Sequence, residues 1–182
     1  MELLECTLTV DDLDEFVAQL GRIGDRHDVT IQAFDARYVV DRSHLECARK
    51  LADRAIAREE NIARDRAVEV LLYAAGRRQI NRALEMGINV GETDAIVLID
   101  ADSSGNEGGH KGGTAETLER EAATRRELVK LDAIEPTESI LEAVDTEAIC
   151  SFYDVTDTEQ AATDASLSDL VRERVALLEV EK

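Results

Sequence analysis

Ala95-Ile96-Val97-Leu98-Ile99 is the strongest strand-forming run in the chain. Its five consecutive aliphatic residues leave no polar side for water, so both faces of the strand are expected to be covered. Upstream, Arg66 to Ala75 reads as a helix with apolar residues on most sides. Val68, Leu71, Leu72 and Ala75 make one stripe, and Ala67, Val70 and Ala74 another. A helix with so little polar face belongs in the middle of a core. These two segments imply one α+β domain over residues 1–182, built on a central antiparallel or mixed sheet flanked by helices.

The rest of the chain supplies the remaining layers. Residues 3–10 alternate, with Leu4, Cys6, Leu8 and Val10 on one side, the period of a half-buried strand. Leu13, Phe16, Val17 and Leu20 share a helical face after the capping candidates Asp11 and Asp12, and Gly21 is expected to end that helix. Val29 to Phe34 reads as a strand and Tyr38 to Val40 as a short one. Ser43-His44-Leu45-Glu46 has the capping-box spacing and is expected to open a helix to about Arg58. Gly76 interrupts, and a shorter helix is expected from Arg77 to about Met86. Residues 101–115 hold five Gly without apolar periodicity and read as a surface loop or insertion. Further helices are expected at Thr117–Leu128, from Pro136 to Val144, at Thr146–Phe152 and after Ser166. Val129–Leu131 and Leu177–Val180 read as short strands, and 157–166 as a polar loop.

Charge excludes one class of function. The chain has 40 acidic and 21 basic residues, for a formal net charge of −19. A conventional basic nucleic-acid module carries the opposite balance. Only four of the basic residues are Lys (50, 111, 130 and 182), and aromatic residues make up 3%. An acidic, Arg-over-Lys composition suggests a protein that works in concentrated salt. At about 1 M salt the Debye length is about 3 Å, which screens the self-repulsion. The alternative is an ordinary acidic cytosolic protein. Cys6, Cys47 and Cys150 lack metal or disulfide spacing and read as reduced thiols, and no run is long enough to span a bilayer. A cytoplasmic protein with no membrane contact is expected.

Motif chemistry is sparse. The Gly105–Thr114 loop fails the phosphate-loop pattern, because Lys111 is followed by Gly112 rather than Ser or Thr. His27, His44 and His110 lie in three different elements, without metal-ligand spacing, so neither a metal nor a cofactor is implied. His44 sits in the first turn of its helix, where a structural or partner-facing role fits better than catalysis.

Residues 49–82 stand apart, with nine basic side chains against five acidic ones. This island suggests an anionic partner. Equally, some of its arginines can pair at home, as Arg49 with Asp53. On a helix from Arg77, the residues Ile80, Ala83 and Leu84 would be buried. Arg78 and Arg82 would project opposite them, with Arg77 and Asn81 on one flank and Gln79 on the other. Arg, Asn and Gln suit phosphate and single-stranded bases.

Glu60-Asn61-Ile62, Glu69-Val70-Leu71-Leu72-Tyr73-Ala74-Ala75-Gly76-Arg77-Arg78-Gln79-Ile80 and Ala83-Leu84 resemble the signature of the kinase-binding accessory subunit of the KEOPS complex, the TPRKB-like family. The order of elements, the Ser43-His44-Leu45 helix start and the C-terminal Leu-x-Val-Glu are also similar. The resemblance implies a non-catalytic subunit of the complex that makes threonylcarbamoyladenosine at position 37 of transfer RNA. It implies binding to, and stimulation of, the Bud-type kinase/ATPase subunit, and in archaea capture of the transfer-RNA 3′ CCA end. Gly76, Arg77, Arg78, Gln79 and Ile80 match the motif directly. Arg77, Arg78 and Gln79 are the expected RNA contacts, and the helical geometry adds Asn81 and Arg82. The kinase-facing surface is expected on the last helix at Leu167, Leu170, Val171 and Arg174, a stripe that intramolecular packing would explain equally well. The 101–115 stretch is longer than the family's usual connection. A rival reading is a small enzyme acting on an anionic metabolite at Arg77, Arg78 and Arg82, with Glu69, Tyr73 or Glu85 as base. A third is a kinase scaffold without RNA contact.

Overall fold

A computed structural model describes residues 1–101 and 114–180. Most of the glycine-rich stretch expected at 101–115 therefore lies outside the described residues. Strand β3 (Gly91–Asp100) carries the 95–99 run and lies between β2 (Thr30–Asp35) and β1 (Glu2–Val10). The short β4 (Ile134–Pro136) pairs with the far side of β1, giving the order β2-β3-β1-β4 with every pairing antiparallel.

Successive residues of β3 serve opposite cores, as the period of two dictates. Ala95, Val97 and Ile99 join Leu4, Cys6, Leu8 and Val10 of β1 and Ile31 and Ala33 of β2. Phe16, Leu20 and Ile23 of α1 (Leu13–His27) and Leu128 of α5 (Thr114–Leu128) cover that face. On the other face Ile96 and Leu98 pack with α2 (Arg42–Ala57), α3 (Arg66–Ala75), α6 (Thr146–Phe152) and α8 (Leu167–Val180). All five residues of the run are fully buried, as are Val70, Leu72, Tyr73 and Ala74 of α3.

Several local expectations are corrected. Gly21 does not end α1; it is exposed mid-helix, and the helix continues because Ile23 and Gly24 are still buried. The stop comes at Asp28, left-handed at φ 52°, a conformation a short polar side chain tolerates better than most. Asp41, not Ser43, caps α2: its carboxylate accepts from the His44 N–H at 2.8 Å, while Glu46 pairs with Arg42. Residues 36–38 form a 3-10 turn rather than a strand from Tyr38. Val129–Leu131 lies in a turn, and Pro136 closes an edge strand instead of opening a helix. Proline lacks the N–H that an interior strand must donate, so the edge accommodates it. Only a 3-10 turn, Ile140–Glu142, forms in the stretch expected to be helical up to Val144. The 157–166 loop contains a short helix, α7 (Asp157–Ala161), and residues 177–180 are the last turn of α8, not a strand.

The two glycines of α1 should respond oppositely to alanine. A Cβ on Gly24 would stand 2.7 Å from the Val29 carbonyl oxygen, whereas one on Gly21 meets nothing within 4 Å. Gly21→Ala is expected to raise stability by about 0.5–1 kcal/mol through helix propensity. Gly24→Ala is expected to lower it by about 1–3 kcal/mol, because backbone must move. Thermal unfolding followed by circular dichroism distinguishes the two.

Candidate functional site

The candidate segment leaves the buried helix α3 at Gly76. That residue is left-handed at φ 59°, and a Cβ there would lie 3.3 Å from the Arg174 carbonyl oxygen of α8. The turn is closed by N–H groups of Gly76 and Arg77 donating to the Tyr73 and Leu72 carbonyls. The Ala74 carbonyl, one of those a helix end leaves without a backbone partner, accepts from two buried side chains. His44 Nε2–H and the Tyr153 hydroxyl both donate to it at 2.9 Å. This fixes the His44 tautomer with the proton on Nε2. Burial pushes the His44 imidazole down to about 4, so it is neutral at pH 7.

Glu69 braces the same helix from its first turn. Its buried carboxylate accepts from the backbone N–H groups of Ile62 and Ala63, at 3.0 and 2.7 Å. The Glu60-Asn61-Ile62 motif and Glu69 thus form one structural clamp. Both bonds fall on Oε2, and the whole Glu69 side chain is buried, as is Tyr73 one turn on.

Beyond Gly76 the chain does not form the helix expected from Arg77 to Met86. Only Ile80–Ala83 is helical (α4), followed by a 3-10 turn at Leu84–Met86. Ala83 and Met86 are buried, but Ile80 and Leu84 are 42% and 51% exposed, which corrects the expectation of a buried Ile80-Ala83-Leu84 stripe. Arg78, Gln79, Asn81 and Arg82 are exposed, and Arg82 stands 3.8 Å from Glu85. Arg77 differs from these: its guanidinium donates to the Phe152 carbonyl and to Asp154 at 3.2 Å, and lies 5.7 Å over the Phe152 ring. It fastens the segment to the chain after α6 through Nη2.

Much of the positive island is paired within the chain. Arg66 bonds Asp53 and Asp100, and Arg49 bonds Asp53. Burial opposes the Arg66 charge, but the hydrogen bonds to those two carboxylates hold its pKa above the ordinary value. Arg54 and Arg58 share Glu179. Lys50 and Arg64 make no ion pair with any described residue.

The α8 stripe is also corrected. Leu170 and Val171 are buried in the core with Val175 and Leu178, and Leu167 is partly buried against it. Arg174 donates to the Tyr153 carbonyl and to both oxygens of Glu159, at 2.7 and 2.8 Å. Leu177, which sequence reading assigned to a strand, is 40% exposed at the rim of a cleft of about 210 Å³. Gly76, Arg77, Tyr153, Asp154 and Arg174 are among the other residues that line it. Among the described residues no group of three or more His, Cys, Asp or Glu is placed to hold a metal.

A short polar segment with two exposed aliphatic side chains, displayed beside a shallow cleft on a layered α+β core, describes a module built for contact with another macromolecule. The family model for kinase binding protein CGI-121 matches residues 9–179, and the chain belongs to that family. No curated protein matches the chain.

The buried imidazole sets a pH dependence. Its pKa is near 4 folded against about 6.5 unfolded, so between those values the unfolded chain binds the extra proton. The His44 contribution is therefore complete above about pH 6.5 and falls as pH drops toward 4, by about 3 kcal/mol. Urea unfolding at pH 7.5 and 4.5 is expected to show a smaller acid loss in His44→Gln than in the parent. An equal loss would refute the assignment.

Proposed function

We propose that this chain is the non-catalytic accessory subunit of the KEOPS complex, which installs threonylcarbamoyladenosine at position 37 of transfer RNA in the cytoplasm. In this reading it binds and stimulates the Bud-type kinase/ATPase subunit and docks the 3′ CCA end of the RNA. Membership of a kinase-binding family supports the first contact. The observation that carries the second is the exposure of Arg78, Gln79, Asn81 and Arg82 together on one short segment, anchored at Arg77 and Ala83. Arg forks and carboxamides bind phosphates and base edges, and Ile80 offers an apolar surface for a terminal base. Arg77 acts by positioning the segment. The acidic, Arg-rich composition supports an origin in a halophilic archaeon.

The kinase contact is assigned to the outer side of α8 at the cleft rim, where Leu177 is the exposed apolar side chain and Arg174 lies alongside. Leu170 and Val171 contribute indirectly, by seating the helix. The enzyme alternative has weaker support, because Glu69 and Tyr73 are buried and Glu85 is an exposed partner of Arg82.

Arg78→Glu with Arg82→Glu is expected to lower affinity for a CCA-ended transfer RNA at least tenfold while leaving the melting temperature and kinase co-purification intact. Each arginine is expected to contribute about 1–3 kcal/mol. Unchanged affinity at working salt would remove the RNA role. Leu177→Glu is expected to abolish co-purification with the kinase and spare RNA binding; retention of the kinase would place its interface elsewhere.

A further inference from the structure

Lys50 and Arg54 stand four residues apart on α2, which puts them on one face about 6 Å apart, and Arg58, the residue that caps the helix, follows four residues later. Arg54 and Arg58 have half-exposed side chains and one carboxylate between them, Glu179, at 3.2 and 3.1 Å. Lys50 is exposed and makes no ion pair with any described residue. Burial pushes the Cys47 thiol up, and Arg172, Lys50 and Arg54 pull against it. The nearby acids are mostly committed: Glu46 to Arg42, Asp53 to Arg49 and Arg66, Asp169 to Arg172. Glu59, Glu60, Asp169 and Glu173 are exposed acids, of which Glu60 too has a partner.

Three exposed cations that share a single carboxylate, on a chain of net charge −19, call for an anionic occupant. A protein partner would also need apolar anchoring at the centre of its footprint. The large exposed apolar side chains among the described residues are Val17, Ile80, Leu84, Val90, Leu118 and Leu177, and none lies on α2. A phosphodiester backbone needs no such anchor; it needs cations at regular spacing, and guanidiniums bind its oxygens in forks. We infer that the Lys50-Arg54-Arg58 stripe is a second RNA-binding surface, gripping phosphates of the strand whose end docks at residues 78–82, and that Glu179 occupies the Arg54 and Arg58 forks until RNA displaces it. This extends the RNA reading above and rests on it.

The test uses the full chain and fluorescence anisotropy with a transfer-RNA transcript, intact or trimmed of its last three nucleotides, over a salt series. The triple variant Lys50→Gln, Arg54→Gln, Arg58→Gln is expected to lose at least tenfold in affinity. Its slope of log K against log salt is expected to shrink by about 2, at about 0.7 for each phosphate left without its cation. Glu179→Gln keeps all three cations and frees two, so it is expected to bind about threefold or more tighter, within the range of an exposed pair. That gain decides the matter should the triple variant melt early. Unchanged affinity and slope in a folded triple variant, or no gain in Glu179→Gln, overturns the proposal. So does a triple variant that loses the kinase and keeps its RNA affinity, which would make the stripe a protein interface. Should the trimmed transcript bind as well as the intact one while the triple variant lowers both, the 3′-end reading fails and the stripe stands.

Discussion

The double hydrogen bond to the Ala74 carbonyl is the constraint on which the displayed segment depends. A helix that ends inside a dry core leaves carbonyls that water cannot reach, and each unsatisfied one costs about 1–3 kcal/mol. Here His44 of α2 and Tyr153, just after α6, meet the same oxygen. Three elements from distant parts of the chain are thereby fixed at one point. Gly76 then turns the backbone in a left-handed conformation where a Cβ would crowd the Arg174 carbonyl, and Arg77 ties the next residue to the Phe152 carbonyl. The direction in which residues 78–82 emerge follows from these contacts and not from any helix propensity of their own.

The acid excess has a structural use besides solvation. Asp12, Asp41, Asp65 and Asp145 each accept from a backbone N–H at the start of a helix, where a carboxylate also meets the positive end of the dipole. Others neutralise arginines within the fold, as Asp53 and Asp100 do for Arg66. Net charge counted along the sequence therefore overstates both the acidity available for hydration and the basicity available to a partner.

The layered α+β architecture was legible because its signals are long. The 95–99 run and the nearly all-apolar α3 leave few alternatives, and α3 and α6 occupy the expected residues. Signals one turn long misled. Ser43 and Asp41 are both competent caps two residues apart, and only the docking of His44 against Ala74 selects the register that uses Asp41. Pro136 suits a helix start as well as a sheet edge, and pairing with β1, distant in sequence, decides between them. The site was legible as a motif but not as a surface. Spacing placed Ile80 and Leu84 inward by assuming a continuous helix, whereas the Gly76 turn and the Arg77 anchor allow only one helical turn. The α8 stripe was visible as apolar, but periodicity cannot say whether a stripe faces its own core or a partner.

Arginine has several fates in this chain, and the number of acceptors per cation separates them. Arg66 sits between two carboxylates with its side chain only 13% exposed. An external anion could recruit it only by leaving Asp53 and Asp100 without a partner, and stranding a buried charge costs about 3–5 kcal/mol. Arg77 has a carbonyl, a ring face and an exposed carboxylate, and moving it would release the segment it anchors. Arg54 and Arg58 divide one carboxylate, and Glu179 can turn to water when displaced. Salt separates the groups in the same order, because buried pairs are screened far less than exposed ones. In concentrated salt the fold keeps its internal arginine network, while any contact through the exposed cations must rely on short-range forks rather than long-range attraction.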